Sequence, residues 1–141
     1  MFQFFTKKKK YIIINCVTDE IVVDGHNLMF PTTYDTLIKT FGKPSREIQQ
    51  SKNYVFWDAL GIFCAYNKAE EILSVNFYQN NKTKSEYNTK KQFTGGLFFN
   101  AKNITNTEFG KISLGSVAIH RLGSESETRY GFSLGVNNEY I

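Results

Sequence analysis

The chain has 141 residues, of which 41% are hydrophobic, 16% aromatic and 21% charged, with a formal net charge of +4. That length suits one domain with its own core, and the composition is that of an ordinary globular protein. No apolar run exceeds about five residues, which excludes a membrane-spanning helix of roughly 20, and Lys7–Lys10 alone equals the positive excess, so the charge does not by itself call for nucleic acid.

Residues 1–10 read as a basic, solvated N-terminal arm and residues 11–141 as a single α+β domain. The start, M-F-Q-F-F-T-K-K-K-K-Y-I-I-I-N-C, has the outline of a lipoprotein signal ending at Cys16. Its apolar stretch is shorter than the roughly 7–15 residues such a signal needs, and Asn15 is not a small residue. Tyr11–Val17 is therefore predicted as the first strand and the protein as cytoplasmic, with a periplasmic or lipid-anchored form through Cys16 as the alternative. Cys16 and Cys64 sit in apolar runs and read as buried thiols rather than a disulfide.

Glu20–Asp24 follows as a second strand across a Thr18-Asp19 turn. Asp24-Gly25 is another turn, leading into Asn27–Phe30. The spacing then predicts a helix over residues 32–41. Thr32 caps it with Asp35 three residues on. Tyr34, Leu37, Ile38 and Phe41 form one apolar stripe. Gly42 suits a left-handed stop and Pro44 forbids continuation.

Beyond the helix the chain reads as strands. Tyr54–Asp58 and Ile62–Tyr66 flank an Ala59-Leu60-Gly61 turn. Ile72–Tyr78 alternates, with Leu73, Val75 and Phe77 predicted on the buried face and Ser74 and Asn76 opposite. Gln79–Gln92 is polar and reads as an exposed loop. Gly95-Gly96 marks a bulge or a close backbone approach within Phe93–Phe99. Ala101–Gly110 reads as irregular. Ser116–Leu122 and Thr128–Val136 form a last hairpin. The expected fold is α+β: a curved, mostly antiparallel sheet of about seven or eight strands with one short helix packed on one face.

No nucleophile motif, phosphate loop or zinc spacing is present, so no catalytic, cofactor-binding or metal residues are assigned. His26 and His120 are the two groups expected to titrate near neutrality. With Arg129 holding phosphate they would suit a metal-independent ribonuclease; the plainer reading is two surface histidines. Trp57 reads as core and Asp58 as a turn residue. Loops on a rigid scaffold commonly carry binding, and Tyr and Arg commonly dominate interfaces. Tyr87, Arg121, Arg129, Glu125 and Glu127 are therefore the expected partner-binding residues.

Pro31-Thr32-Thr33, Leu37, Phe41-Gly42-Lys43-Pro44, Arg46, Trp57-Asp58, Leu60-Gly61-Ile62 and Tyr66 together form a pattern. With Phe93-Thr94-Gly95, it resembles an uncharacterised family of small bacterial domains associated with polymorphic-toxin immunity loci. The helix–hairpin step is similar to the β-lactamase-inhibitor-protein type of fold, a binding fold. The resemblance spans roughly Ile21 to Phe99 and leaves the C-terminal 40 or so residues unmatched. It implies a non-enzymatic immunity protein that binds a cognate secreted or contact-dependent toxin, with no nucleic acid and no membrane as partner. The ribonuclease-like enzyme and an exported envelope binding module are the alternatives.

Overall fold

Strands of two to eight residues dominate the computed structural model, which describes residues 11–81, 85–123 and 129–137. The expected basic arm, Lys84, Glu125 and Glu127 lie outside those residues, as do the side chains of Asn81 and Arg129. In chain order the described elements are β1 (Ile13–Val17), β2 (Glu20–Val23), β3 (His26–Asn27), α1 (Tyr34–Phe41), β4 (Arg46–Gln49), β5 (Asn53–Trp57) and β6 (Ile62–Tyr66). There follow β7 (Ser74–Asn81), β8 (Gly96–Phe99), β9 (Lys102–Asn103), β10 (Lys111–Ser113), β11 (Val117–Gly123) and β12 (Arg129–Val136).

The fold is α+β with mostly antiparallel pairing, but it has two open sheets where the sequence predicts one. Five strands run β3-β2-β1-β8-β9 and seven run β10-β11-β12-β7-β6-β5-β4. The reason is a parallel pairing of β1 with β8, Ile14 opposite Leu97, which draws the first strands and Phe93–Phe99 away into a sheet of their own. A parallel pair needs a long crossover, and here that crossover is most of the seven-stranded sheet. Gly95 makes the predicted close approach: a Cβ there would strike the Ile12 carbonyl oxygen.

Alternation then builds one shared core. Ile14, Cys16, Ile21, Val23 and Leu97 of the smaller sheet meet Val75, Phe77, Ile119, Phe132 and Leu134 of the larger. Cys16 and Cys64 are free and buried, as predicted, and burial pushes both thiols up to about 12. Cys16 is buried in the core that the two sheets share. Among the described residues no helix is long and apolar enough to cross a membrane.

The helix packs its stripe onto the same core through Leu37 and Phe41. Its cap is Thr33 rather than Thr32, with the Thr33 hydroxyl accepting from the Thr36 N–H at 3.1 Å. Thr32 instead exchanges backbone bonds with Ile72. That bridge lies just before β7, where the alternation is broken. Ile72 is buried and Leu73 is 50% exposed, against the expectation for Leu73, whereas Val75 and Phe77 are buried as predicted. The predicted loop is shorter than expected too, because β7 runs on through Gln79 to Asn81, and Ala101–Gly110 contains the short strand β9.

The helix does stop at Gly42, whose N–H closes on the Ile38 carbonyl at 2.7 Å. Its φ of 92° is positive as expected, but its ψ of −170° is extended rather than left-handed helical. That region is essentially restricted to glycine. The turned peptide aims the Gly42 carbonyl at the indole N–H of Trp57, 2.8 Å away. A Cβ at Gly42 would meet nothing within 4 Å. Gly42→Val should therefore cost about 1–3 kcal/mol through the backbone alone, and Gly42→Ala should cost part of it. A thermal melt checks this: an unchanged Tm for both variants would show that the helix stop does not depend on this conformation.

Candidate functional site

The seven-stranded sheet turns one face to the core and the other outward. Cross-strand registers give that outer face in rows. One row reads Lys111, His120, Ser133, Asn76, Phe63, Phe56 and Arg46 from β10 to β4. The next reads Ser113, Ala118, Gly135 and Ser74. The two halves of this face are treated differently by the chain.

The β4–β6 half is roofed by residues 85–92. Arg46 organises the roof. Its Nε donates to Asp58 Oδ2 at 2.8 Å and its Nη2 to Asp58 Oδ1 at 3.2 Å. The same guanidinium donates to the carbonyls of Glu86 (2.7 Å) and Asn88 (2.9 Å) and lies 3.9 Å above the Phe56 ring. Asp58 completes the clamp by accepting from the Ser45 hydroxyl at 2.9 Å and the Lys90 N–H at 3.0 Å. Burial alone would raise the Asp58 pKa. The bonds from Arg46, Ser45 and the Lys90 N–H outweigh it and hold the carboxyl below its usual value. The predicted turn residue is thus half of a charge-assisted bidentate pair. The R-x(11)-D spacing was visible in the sequence, but nothing local shows that the pair holds a loop 40 residues away.

Among the described residues, no such roof covers the β7, β12, β11 half. A hollow of about 490 Å³ opens over it, lined by Leu73, Ser74, His120, Leu122, Ser133 and Gly135 among others. A second hollow of about 290 Å³ shares Leu73 and Ser74 and continues towards Ala65, Lys52 and Lys68. His120 stands beside Lys111 here. Burial first, and the Lys111 charge second, lower its pKa from 6.5 and favour the neutral ring.

The predicted contact residues fall unevenly on this geometry. Tyr87 is half-buried and packs its ring edge-on to Tyr54, 5.0 Å between centroids, so it belongs to the roof. Arg121 is turned inward. Its guanidinium donates to Gln79 Oε1 and to the carbonyls of Gly131, Ile104, Thr105 and Thr107, between the rings of Phe109 and Tyr130. It lines a further hollow of about 490 Å³ with Glu108, Phe109, Gly110 and Gly123, and it also borders the one over β7, β12 and β11. The Arg121 guanidinium is a strut between β11, β12 and the 104–109 segment, because five main-chain and amide oxygens converge on it. The β12 backbone places Arg129 at the far end of the hairpin, opposite Asn81. Glu125 and Glu127 lie outside the described residues.

His26 and His120 are not brought together. His26 is on β3, the outermost strand of the five-stranded sheet, whereas His120 is on the face of the other sheet that points away from it. Among the described residues no cluster of His, Cys, Asp or Glu is placed to hold a metal ion.

The Arg46–Asp58 clamp carries a pH prediction. The folded carboxyl titrates below the unfolded value of about 4, so its stabilisation is complete above that pH and is lost as pH falls through the lower folded value. Asp58→Asn should cost on the order of 2 kcal/mol at pH 7, the worth of a charge-assisted bond. Tm measured from pH 7 to pH 3 should show the gap between wild type and variant closing below pH 4. A gap that stays constant would mean that the charge on Asp58 is not what holds the roof.

No curated protein and no solved structure matches the chain. A family pattern does match, over residues 13–114, from β1 to the residue after β10. β11 and β12 lie beyond the matched span. The match covers well over half of the sequence, and the chain belongs to the family described as Domain of unknown function (DUF7738).

Proposed function

We propose that this chain is a non-enzymatic binding protein, and that it acts in the cytoplasm as an immunity protein against one cognate toxin. The observation that carries the reading is the unroofed half of the outer sheet face. A rigid sheet, with its core side fully packed, presents a hollow where its other half is covered by its own loop. Concave, largely preformed surfaces of this kind favour binding with little rearrangement.

The family span adds support. β12 is hydrogen-bonded to both β11 and β7, so the hairpin outside the matched residues completes the middle of the sheet. A shared frame with a separate C-terminal face suits relatives that bind different partners. In this reading Arg129, Glu125 and Glu127 contribute contacts from the hairpin end and Tyr87 from the rim of the roof. Arg121 acts by holding the hairpin in place.

Blocking a toxin in this way is a mass-action effect. About 800 Å² buried per partner is sufficient for nanomolar affinity if a few anchors pack well. The test is co-expression with the product of the neighbouring gene, followed by calorimetry on the purified pair. The expected outcome is a stoichiometric complex and loss of toxicity, with affinity falling more than tenfold in Glu125→Ala/Glu127→Ala/Arg129→Ala. No binding by wild type at micromolar concentrations overturns the immunity reading.

A further inference from the structure

We infer that the unroofed groove over β7, β12 and β11 docks an acidic protein segment that inserts one bulky apolar side chain between Leu73 and Leu122. This rests on the binding-protein reading above and names the partner's chemistry.

The first argument is charge. Lys52 and Lys68 stand exposed at one end of the groove, and Lys111 beside His120 at the other. Among the described residues neither Lys52 nor Lys68 is in an ion pair, and the Glu71 carboxylate is the acidic group among the residues lining the two hollows. Among the described residues lining the second hollow, two ammonium groups stand against one carboxylate, which makes that end of the groove positive, attracts an acidic surface and disfavours a basic one.

The second argument is shape. The hollow of about 490 Å³ lies over Ser74, Ser133 and Gly135, between two aliphatic side chains, of which Leu73 is 50% exposed. A space of that size takes a large side chain, and burying Leu73 against it adds apolar area.

The third argument separates protein from nucleic acid. Single-stranded nucleic acid needs exposed aromatic faces for stacking. The aromatic rings of this sheet face are engaged with one another instead: Tyr54 with Tyr87, and Phe63 with Phe56 and Tyr78. Among the described residues Tyr66 is the one aromatic ring lining the two hollows, at the Lys52 end, and it is half-buried and tilted against Tyr34 at 6.1 Å rather than free to stack.

The probe is a short peptide with one Trp flanked by glutamates, titrated into ¹⁵N-labelled protein. Amide shifts should concentrate at Ser74, Ser133 and Gly135 and leave residues 85–92 still. Ser74→Trp, which fills the hollow, should weaken binding at least tenfold. Lys52→Glu/Lys68→Glu should weaken it similarly and flatten its salt dependence. The lysines are exposed, so this pair decides the matter even if Ser74→Trp does not fold.

Shifts elsewhere, or binding unchanged in the lysine pair, overturn the inference. Groove shifts with single-stranded RNA but none with the peptide overturn the choice of a protein partner. The neighbouring gene's product separates the two readings. If it binds wild type and both variants equally, the groove is wrong and the immunity reading stands. If it does not bind wild type, the immunity reading falls, and the peptide titration still decides the groove.

Discussion

The structure depends on Phe77. Its ring stacks on Phe132 at 4.7 Å and meets the edges of Phe93 at 5.1 Å and Phe41 at 6.0 Å. Those four residues come from β7, β12, the segment entering the small sheet, and the helix. Phe93 and Phe132 also meet edge to face, and Phe41 extends the set to Trp57. Each contact is worth about 0.5–1.5 kcal/mol beyond the area it buries. Their common centre matters more than their sum. No single element can leave without exposing the others, so the two sheets and the helix form one cooperative core.

Once that core takes the inner face of the large sheet, the outer face has to be managed separately, and the chain does so unequally. Phe56 is fully buried and Tyr78 nearly so, although both point away from the core. They are covered because Arg46 spans from β4 to the carbonyls of Glu86 and Asn88. An arginine suits this place. Its planar fork serves a carboxylate and two carbonyls at once while its flat face lies on Phe56, which a lysine cannot do. Beyond Tyr78, the outward side chains of β7, β12 and β11 include Ser74, Asn76, Ser133, Ala118, His120 and Leu122, none of them Phe, Tyr or Trp. The same sheet thus carries a roof at one end and, among the described residues, none at the other, where the hollow over Ser74, Ser133 and Gly135 opens.

The sequence by itself determined what short stretches of backbone decide. The helix end at Gly42, the Ala59-Leu60-Gly61 turn, the Thr18-Asp19 turn, the buried Trp57 and the two buried thiols all follow from the residues within a few positions. Tertiary structure alone decided the rest. Two sheets formed where one was expected because β1 pairs with β8, some 80 residues on, and no local pattern encodes which sheet a strand joins. Leu73 is half exposed although Val75 and Phe77 of the same predicted face are buried, because the Thr32–Ile72 bridge takes Ile72 into the core just before β7, and no local pattern encodes that bridge. Arg121 became a strut because five oxygens from three segments converge on it. The Arg46–Asp58 clamp and the groove beside it likewise exist only once distant strands lie side by side. Turns and caps are governed by the φ and ψ of a few residues, whereas registers, roofs and hollows are governed by contacts whose partners the sequence does not name.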